Sequence, residues 1–189
     1  FDAQRTPGYS VSDRGPHHKV WERLEYQPAM DGTLRAVPHR YEEVATGMHF
    51  KNERGEWAEA SEEIEILPNN AGAMASKGQH KVIFPVDIKS GVIELQLPEG
   101  QWLRSRVWGL AYFDSATGES VLLAEVKASD GRVVGDNAVV YPDAFTDLLA
   151  DIRLTYTRAG FEQDVVMRVA PPAPEKFNLN PKTTRLQVL

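Results

Sequence analysis

Apolar side chains at every second position constrain this chain more than any other feature. In "ADIRLTYT", residues 150–157, Ile152, Leu154 and Tyr156 fall on one face of an extended strand, and Asp151, Arg153, Thr155 and Thr157 on the other. After "RAG", Phe161, Val165, Met167 and Val169 are apolar and odd-numbered, whereas Glu162, Asp164 and Arg168 are charged and even-numbered. The two runs predict a hairpin in which apolar meets apolar, because a one-residue slip turns every side chain to the wrong side. A two-residue loop at Ala159–Gly160 sets Ile152 opposite Met167, Leu154 opposite Val165 and Asp151 opposite Arg168. A four-residue loop sets Arg153 opposite Asp164 instead. Either register leaves an ion pair on the outer face, worth about a few tenths of a kcal/mol.

Similar runs recur between closely spaced turn signals. "KVWERLEY" puts Val20, Glu22, Leu24 and Tyr26 on one face, and "EEIEILP", "KVIF", "GVIELQL", "GLAYFD", "ESVLLAEVK" and "NAVVYP" are further strand candidates. "MDGT", "NERGE", "PNNAG", "LPEG", "SATGE" and "ASDGR" separate them. No long segment holds a helical period. The expectation is an all-β fold, an antiparallel β-sandwich of about twelve short strands with at most one or two helical turns. Residues 1–18 read as an extended arm, 19–170 as the sandwich, and 171–189 as a proline-rich linker closing on a strand, "TTRLQVL". That strand is a candidate for pairing with another chain.

Bulk properties narrow the function classes. The 189 residues carry a net charge of −6, which argues against a nucleic-acid-binding surface. No apolar run approaches the roughly 18–20 residues of a membrane helix, so no membrane insertion is expected. There is no cysteine, which removes disulfides, thiolate metal sites and a cysteine nucleophile. The sequence begins at Phe1 rather than Met, and the expectation is that an upstream segment has been removed.

Asp143, Asp147 and Asp151 stand four residues apart, a spacing that would align them on a helix. Because the strand pattern begins at Ala150, Asp151 is expected in that strand beside a cation. Asp143 is expected to cap a single helical turn over 143–149, where Phe145, Leu148, Leu149 and Ile152 fit a helical stripe. Nucleophile elbows, phosphate loops and zinc-type His spacings are absent from the sequence. The loops carrying Asp114, Glu119, Asp130, Asp136 and Asn137 offer oxygen ligands but lack the calcium-loop pattern. No metal and no cofactor is expected. The parity of His80 with Val82 and Phe84 predicts a partly buried, satisfied histidine.

The most distinctive surface is "QWLRSRVWG", residues 101–109. As one regular strand it would project Trp102, Arg104, Arg106 and Trp108 on a single face, a platform for stacking sugar rings and holding their anionic groups. Arg and Trp laddering under a neighbouring domain is the structural alternative.

Segments "YEEVATGMHFKNERGEWAEASEEIEILPN", "GQHKVIFPVDI", "LRSRVWGLAYFD" and "YPDAFTDLLADIRLTYTRAGFEQDVVMR" resemble an N-terminal β-rich region of large secreted bacterial proteins of the Rhs/YD-repeat and LamG-containing kind, over roughly residues 40–185. The resemblance implies a secreted or cell-surface setting and a module within a longer chain; it carries no catalytic motif. The leading expectation is therefore a non-catalytic structural or interaction module whose partners are other domains or subunits of its parent protein. A carbohydrate-binding module using Trp102, Arg104, Arg106 and Trp108 on a polysaccharide is the alternative, and a hydrolase drawing on Asp143 and Glu125 is the third.

Overall fold

The computed structural model describes residues 8–189. Among these residues there are seventeen strands, every pairing between them is antiparallel, and the only helical elements are two 3₁₀ turns, Pro68–Asn70 and Pro174–Phe177. The expected all-β class is what the chain adopts. Each strand candidate named above overlaps one of the strands. No helix among the described residues is long and apolar enough to cross a membrane.

The chain divides into two compact units, residues up to Ser61 with Lys77–Gln79, and Glu62–Ser76 with His80–Leu189. This differs from the division read off the sequence. In the first unit β1 (Ser10–Gly15), β2 (His18–Pro28) and β3 (Leu34–Val44) form one sheet, and β4 (His49–Lys51) pairs with β5 (Trp57–Glu59). The expected N-terminal arm is thus strand from Ser10 to Gly15; its residues 1–7 lie outside the described residues. "SVSDRG" carries almost no apolar signal, and its place is set by β2, with Val11 opposite Trp21 and Gly15 opposite His18. At Gly15 the missing side chain leaves room for the His18 ring, which a Cβ there would push aside. Val20, Trp21, Met48 and His49 are buried in this unit. The Trp21 indole N–H donates to Glu43 Oε2 at 3.0 Å and its ring stacks on Tyr41.

The second unit holds a five-stranded sheet in the order β10-β9-β8-β7-β6, a four-stranded sheet β13-β14-β15-β16 and a three-stranded sheet β12-β11-β17. Their ranges are β6 Ile64–Ile66, β7 Ala73–Ala75, β8 Lys81–Phe84, β9 Ile93–Gln96, β10 Trp102–Ser105, β11 Gly109–Asp114, β12 Ser120–Glu125, β13 Arg132–Val134, β14 Ala138–Tyr141, β15 Ala150–Thr157, β16 Gly160–Met167 and β17 Thr184–Val188. One core takes Val82, Phe84 and Ile93 from the first sheet, Tyr141, Ile152, Leu154 and Tyr156 from the second, and Leu110 and Ala124 from the third. Residues 171–189 belong to this unit and are not a detached linker. The Tyr112 hydroxyl donates to Pro172 O at 3.0 Å, Phe177 packs edge-on against Tyr112, and β17 pairs along all of β11 from Leu110 to Asp114.

The β15–β16 hairpin closes through Arg158 and Ala159, with Thr157 opposite Gly160, Ile152 opposite Val165 and Arg153 opposite Asp164. The register is the second of the two the pattern allows, but a two-residue turn reaches it in place of the expected four-residue loop. Asp151 nonetheless reaches Arg168 diagonally, Arg168 Nε donating to Asp151 Oδ2 at 3.0 Å. The expected helical turn at 143–149 does not form. Asp143 has φ of 47°, left-handed backbone that does not start a helix. Ala144 and Phe145 are fully buried, and the loop spends its backbone groups on neighbours: Lys127 N–H donates to Ala144 O, Ala144 N–H to Ala150 O, and Thr146 N–H to Glu125 O.

Two partly buried polar contacts fasten the core to its loops. The Tyr141 hydroxyl donates to Pro85 O at 2.7 Å and the Tyr156 hydroxyl to His80 O at 2.9 Å. Burial pushes the Tyr156 phenol up to about 12, so both tyrosines act as neutral donors. Tyr141→Phe removes the donor to this partly buried carbonyl and is expected to cost about 0.5–1.5 kcal/mol in urea denaturation.

Asp87 ties its own turn to a distant loop, accepting from Ser90 N–H and Oγ at 2.8 Å each and from Ser129 N–H at 2.7 Å. Burial raises its pKa, but the bonds from Ser90 and Ser129 outweigh it and hold the group below its ordinary 3.8. A depressed folded pKa contributes stability that is present above the ordinary value and lost as pH falls through the folded one. Denaturation at about pH 6 and about pH 3 is therefore expected to show a smaller acid loss for Asp87→Asn than for the parent chain.

Candidate functional site

The four residues expected on one strand face are divided by the structure. Trp102 and Arg104 lie on β10, the edge strand of the five-stranded sheet. Arg104 faces Glu94 across the pair and its Nε donates to Glu94 Oε1 at 2.8 Å, so this cation is already engaged. The strand ends at Ser105, residues 106–108 are irregular, and β11 starts at Gly109 in a different sheet. The expectation of one continuous strand over 101–109 is corrected here. The break follows from Val107, which turns into the core, and from Gly109, where a Cβ would collide with the carbonyl of Ala124. Trp108 is pinned by its backbone between two neighbours: its N–H donates to Leu189 O at 2.7 Å and its carbonyl accepts from Val126 N–H at 3.0 Å.

That pinning leaves the indole outside. Trp108 is 72% exposed and, with Arg106, borders a pocket of about 440 Å³. Val107, Leu122, Val126 and Leu189 supply its apolar wall, and Lys89 and Glu125 complete the polar rim. Lys89 and Arg106 have no carboxylate partner among the described residues. The site therefore combines an exposed aromatic on a pinned backbone, two cations without an internal carboxylate partner and the Glu125 carboxylate over an apolar floor, with Leu189 at its edge.

The carboxylates proposed for acid–base work do not meet there. Glu125 borders the pocket, but Asp143 does not, and its carboxylate accepts from Lys127 Nζ at 2.8 Å. Asp151 is held by Arg168 and by the N–H of Asp143, and Asp147 accepts from Thr146 Oγ1. Asp114 is buried and held below its ordinary pKa chiefly by the Thr183 side chain and the Ala116 N–H. Asn137 Nδ2 donates to Tyr156 O. Among the described residues no three His, Asp or Glu side chains gather as a metal site. His80 packs against the Tyr156 ring, and burial lowers its pKa against the opposing effect of hydrogen bonds that the ring donates to the backbone of Gly160 and Thr157. Its Nε2 is buried without a partner among the described residues, which departs from the expected satisfied histidine.

A second surface lies in the first unit. β2 and β3 pair over eleven residues each, whereas β1 covers β2 only up to Glu22. Beyond that point Leu24 faces Pro38, Tyr26 faces Ala36 and Pro28 faces Leu34, so one side of the ribbon is wholly apolar. Leu24 is 54% exposed and Tyr26 63%. The other side carries Arg23, Glu25, Gln27, Arg35, Val37 and His39, and there Glu25 accepts from Arg23 and Gln27.

The edges of this ribbon are blunted. Ala29 N–H donates to Thr33 O, which makes their pair a hydrogen-bonded one. Counting back in twos, the odd residues of β2 bond inward and the even ones point outward. The Ser10 and Ser12 hydroxyls reach Glu22 O and Val20 O from the outer side, in agreement. Pro28 and Pro38 therefore sit where an outward N–H would otherwise invite another strand.

Against known protein families, curated proteins and solved structures, the chain matches none.

Sequence reasoning found Arg106 and Trp108 but missed Lys89, Leu122, Glu125, Val126 and Leu189 as their companions at the pocket. Only the alternation of each contributing segment was visible. Gly109→Ala is expected to lower stability by about 1–3 kcal/mol through the clash with β12. Trp108→Ala, which removes a mostly exposed ring, is expected to change it by less than about 1 kcal/mol in the same urea titration.

Proposed function

We propose that this chain is a non-catalytic interaction module of a larger secreted or cell-surface bacterial protein, and that its β2–β3 ribbon docks on another domain of that protein. The observation that carries the reading is the bare apolar side formed by Leu24, Tyr26, Pro28, Leu34, Ala36 and Pro38. A two-stranded ribbon with both sides in water is marginal by itself. Here the polar side is internally bonded and both edges carry proline, so the apolar side is where a neighbour would add stability.

The size of the patch favours a tethered neighbour. Six side chains are far fewer than the roughly 20–30 residues per partner of a free-standing stable interface. A domain on the same polypeptide meets the patch at high effective concentration and needs less contact area. The resemblance of residues 40–185 to a region of large secreted bacterial proteins supports the same setting.

Hydrogen exchange checks this. Amides of Glu25, Gln27, Arg35 and Val37, which bond across the ribbon, are compared between the 189-residue chain and the natural, unprocessed polypeptide. The reading expects exchange at least about tenfold slower in the natural polypeptide, with the slowing lost in Leu24→Lys/Tyr26→Lys. Equal, fast exchange in both would overturn it.

A further inference from the structure

We propose that the pocket bordered by Trp108, Arg106, Lys89 and Glu125 binds an acidic saccharide, a ring bearing a carboxylate such as a hexuronate unit. This does not depend on the ribbon reading, since all of its residues belong to the second unit.

Three features select the ligand class. The first is the indole. Trp108 is fixed at both its N–H and its carbonyl, yet its ring is largely exposed. An exposed ring on a fixed backbone offers a flat apolar surface for the C–H face of a pyranose. The second is charge. Lys89 and Arg106 lack carboxylate partners among the described residues, so a ligand carboxylate gains charge-assisted bonds without displacing an internal ion pair. The third is Glu125. A carboxylate on the rim accepts hydrogen bonds and repels a second anion. It suits a ligand that presents hydroxyl donors beside a single acid group, and it disfavours a densely charged phosphate or a plain aromatic acid without donors.

The volume agrees with this. About 440 Å³ falls within the roughly 300–1,000 Å³ of ordinary small-molecule sites. Arg104, which the sequence placed on the same platform, is outside the site because Glu94 holds it.

The probe is galacturonate, a single hexuronate ring with one carboxylate, titrated calorimetrically into the 189-residue chain, with maltotriose and benzoate as controls. Saturable binding of the uronate alone is expected, weakened about tenfold in each of Trp108→Ala, Arg106→Ala and Lys89→Ala, and largely restored in Trp108→Phe. Near-ultraviolet circular dichroism establishes that each variant is folded, and Lys89, on a turn outside any strand, keeps the test open if a β11-side variant is not. Absence of saturable binding, equal binding of maltotriose, binding of benzoate in place of the uronate, or unchanged affinity in the folded variants would each overturn the proposal.

Discussion

Strand β15 carries the constraint on which the second unit depends. Ala150, Ile152, Leu154 and Tyr156 are fully buried, and the residues between them are not. The strand is flanked on both sides, by β14 and β16, so its inward residues set the parity of both neighbours. A slip by one residue would drive Asp151 and Arg153 into the core, at a desolvation cost far above any surface contact. With the parity settled, Tyr156 and Tyr141 reach the carbonyls of His80 and Pro85 and anchor the adjoining segments to the same core.

That parity explains what was legible beforehand. Period-two runs located β2, β6, β8, β9, β11, β12, β14, β15 and β16, because a half-buried strand writes its two faces into the sequence. β1 was not legible: "SVSDRG" is nearly all polar, and only its partner Trp21 gives it a place. The 143–149 segment misled for a different reason. Phe145 and Leu148 fit a helical stripe, yet Phe145 is buried in a loop and bridged through its backbone to Val126. Parity also has no means of recording a change of sheet. Arg104, Arg106 and Trp108 share even numbers, but the chain leaves one sheet at Ser105 and enters another at Gly109.

The two candidate surfaces arise from opposite circumstances. The ribbon is exposed because the strand pair outruns the β1 strand that supports it, leaving an apolar side whose Leu24, Tyr26 and Leu34 are each more than half exposed. The pocket exists because the chain is tightly held: Val107 inward, Gly109 against Ala124, and Trp108 bonded on both sides. One is a weakly supported element suited to gaining order from a neighbour, the other a rigid mount suited to a small ligand. A module can carry both without conflict, since they draw on different residues and different units.

The parity of β15 is tested most directly by cross-strand nuclear Overhauser contacts in the β15–β16 hairpin. The account predicts contacts linking Ile152 with Val165, Leu154 with Gln163 and Tyr156 with Phe161. Contacts linking Ile152 with Val166 or Leu154 with Asp164 would mean that the strand presents its charged residues to the core, and the account would fail.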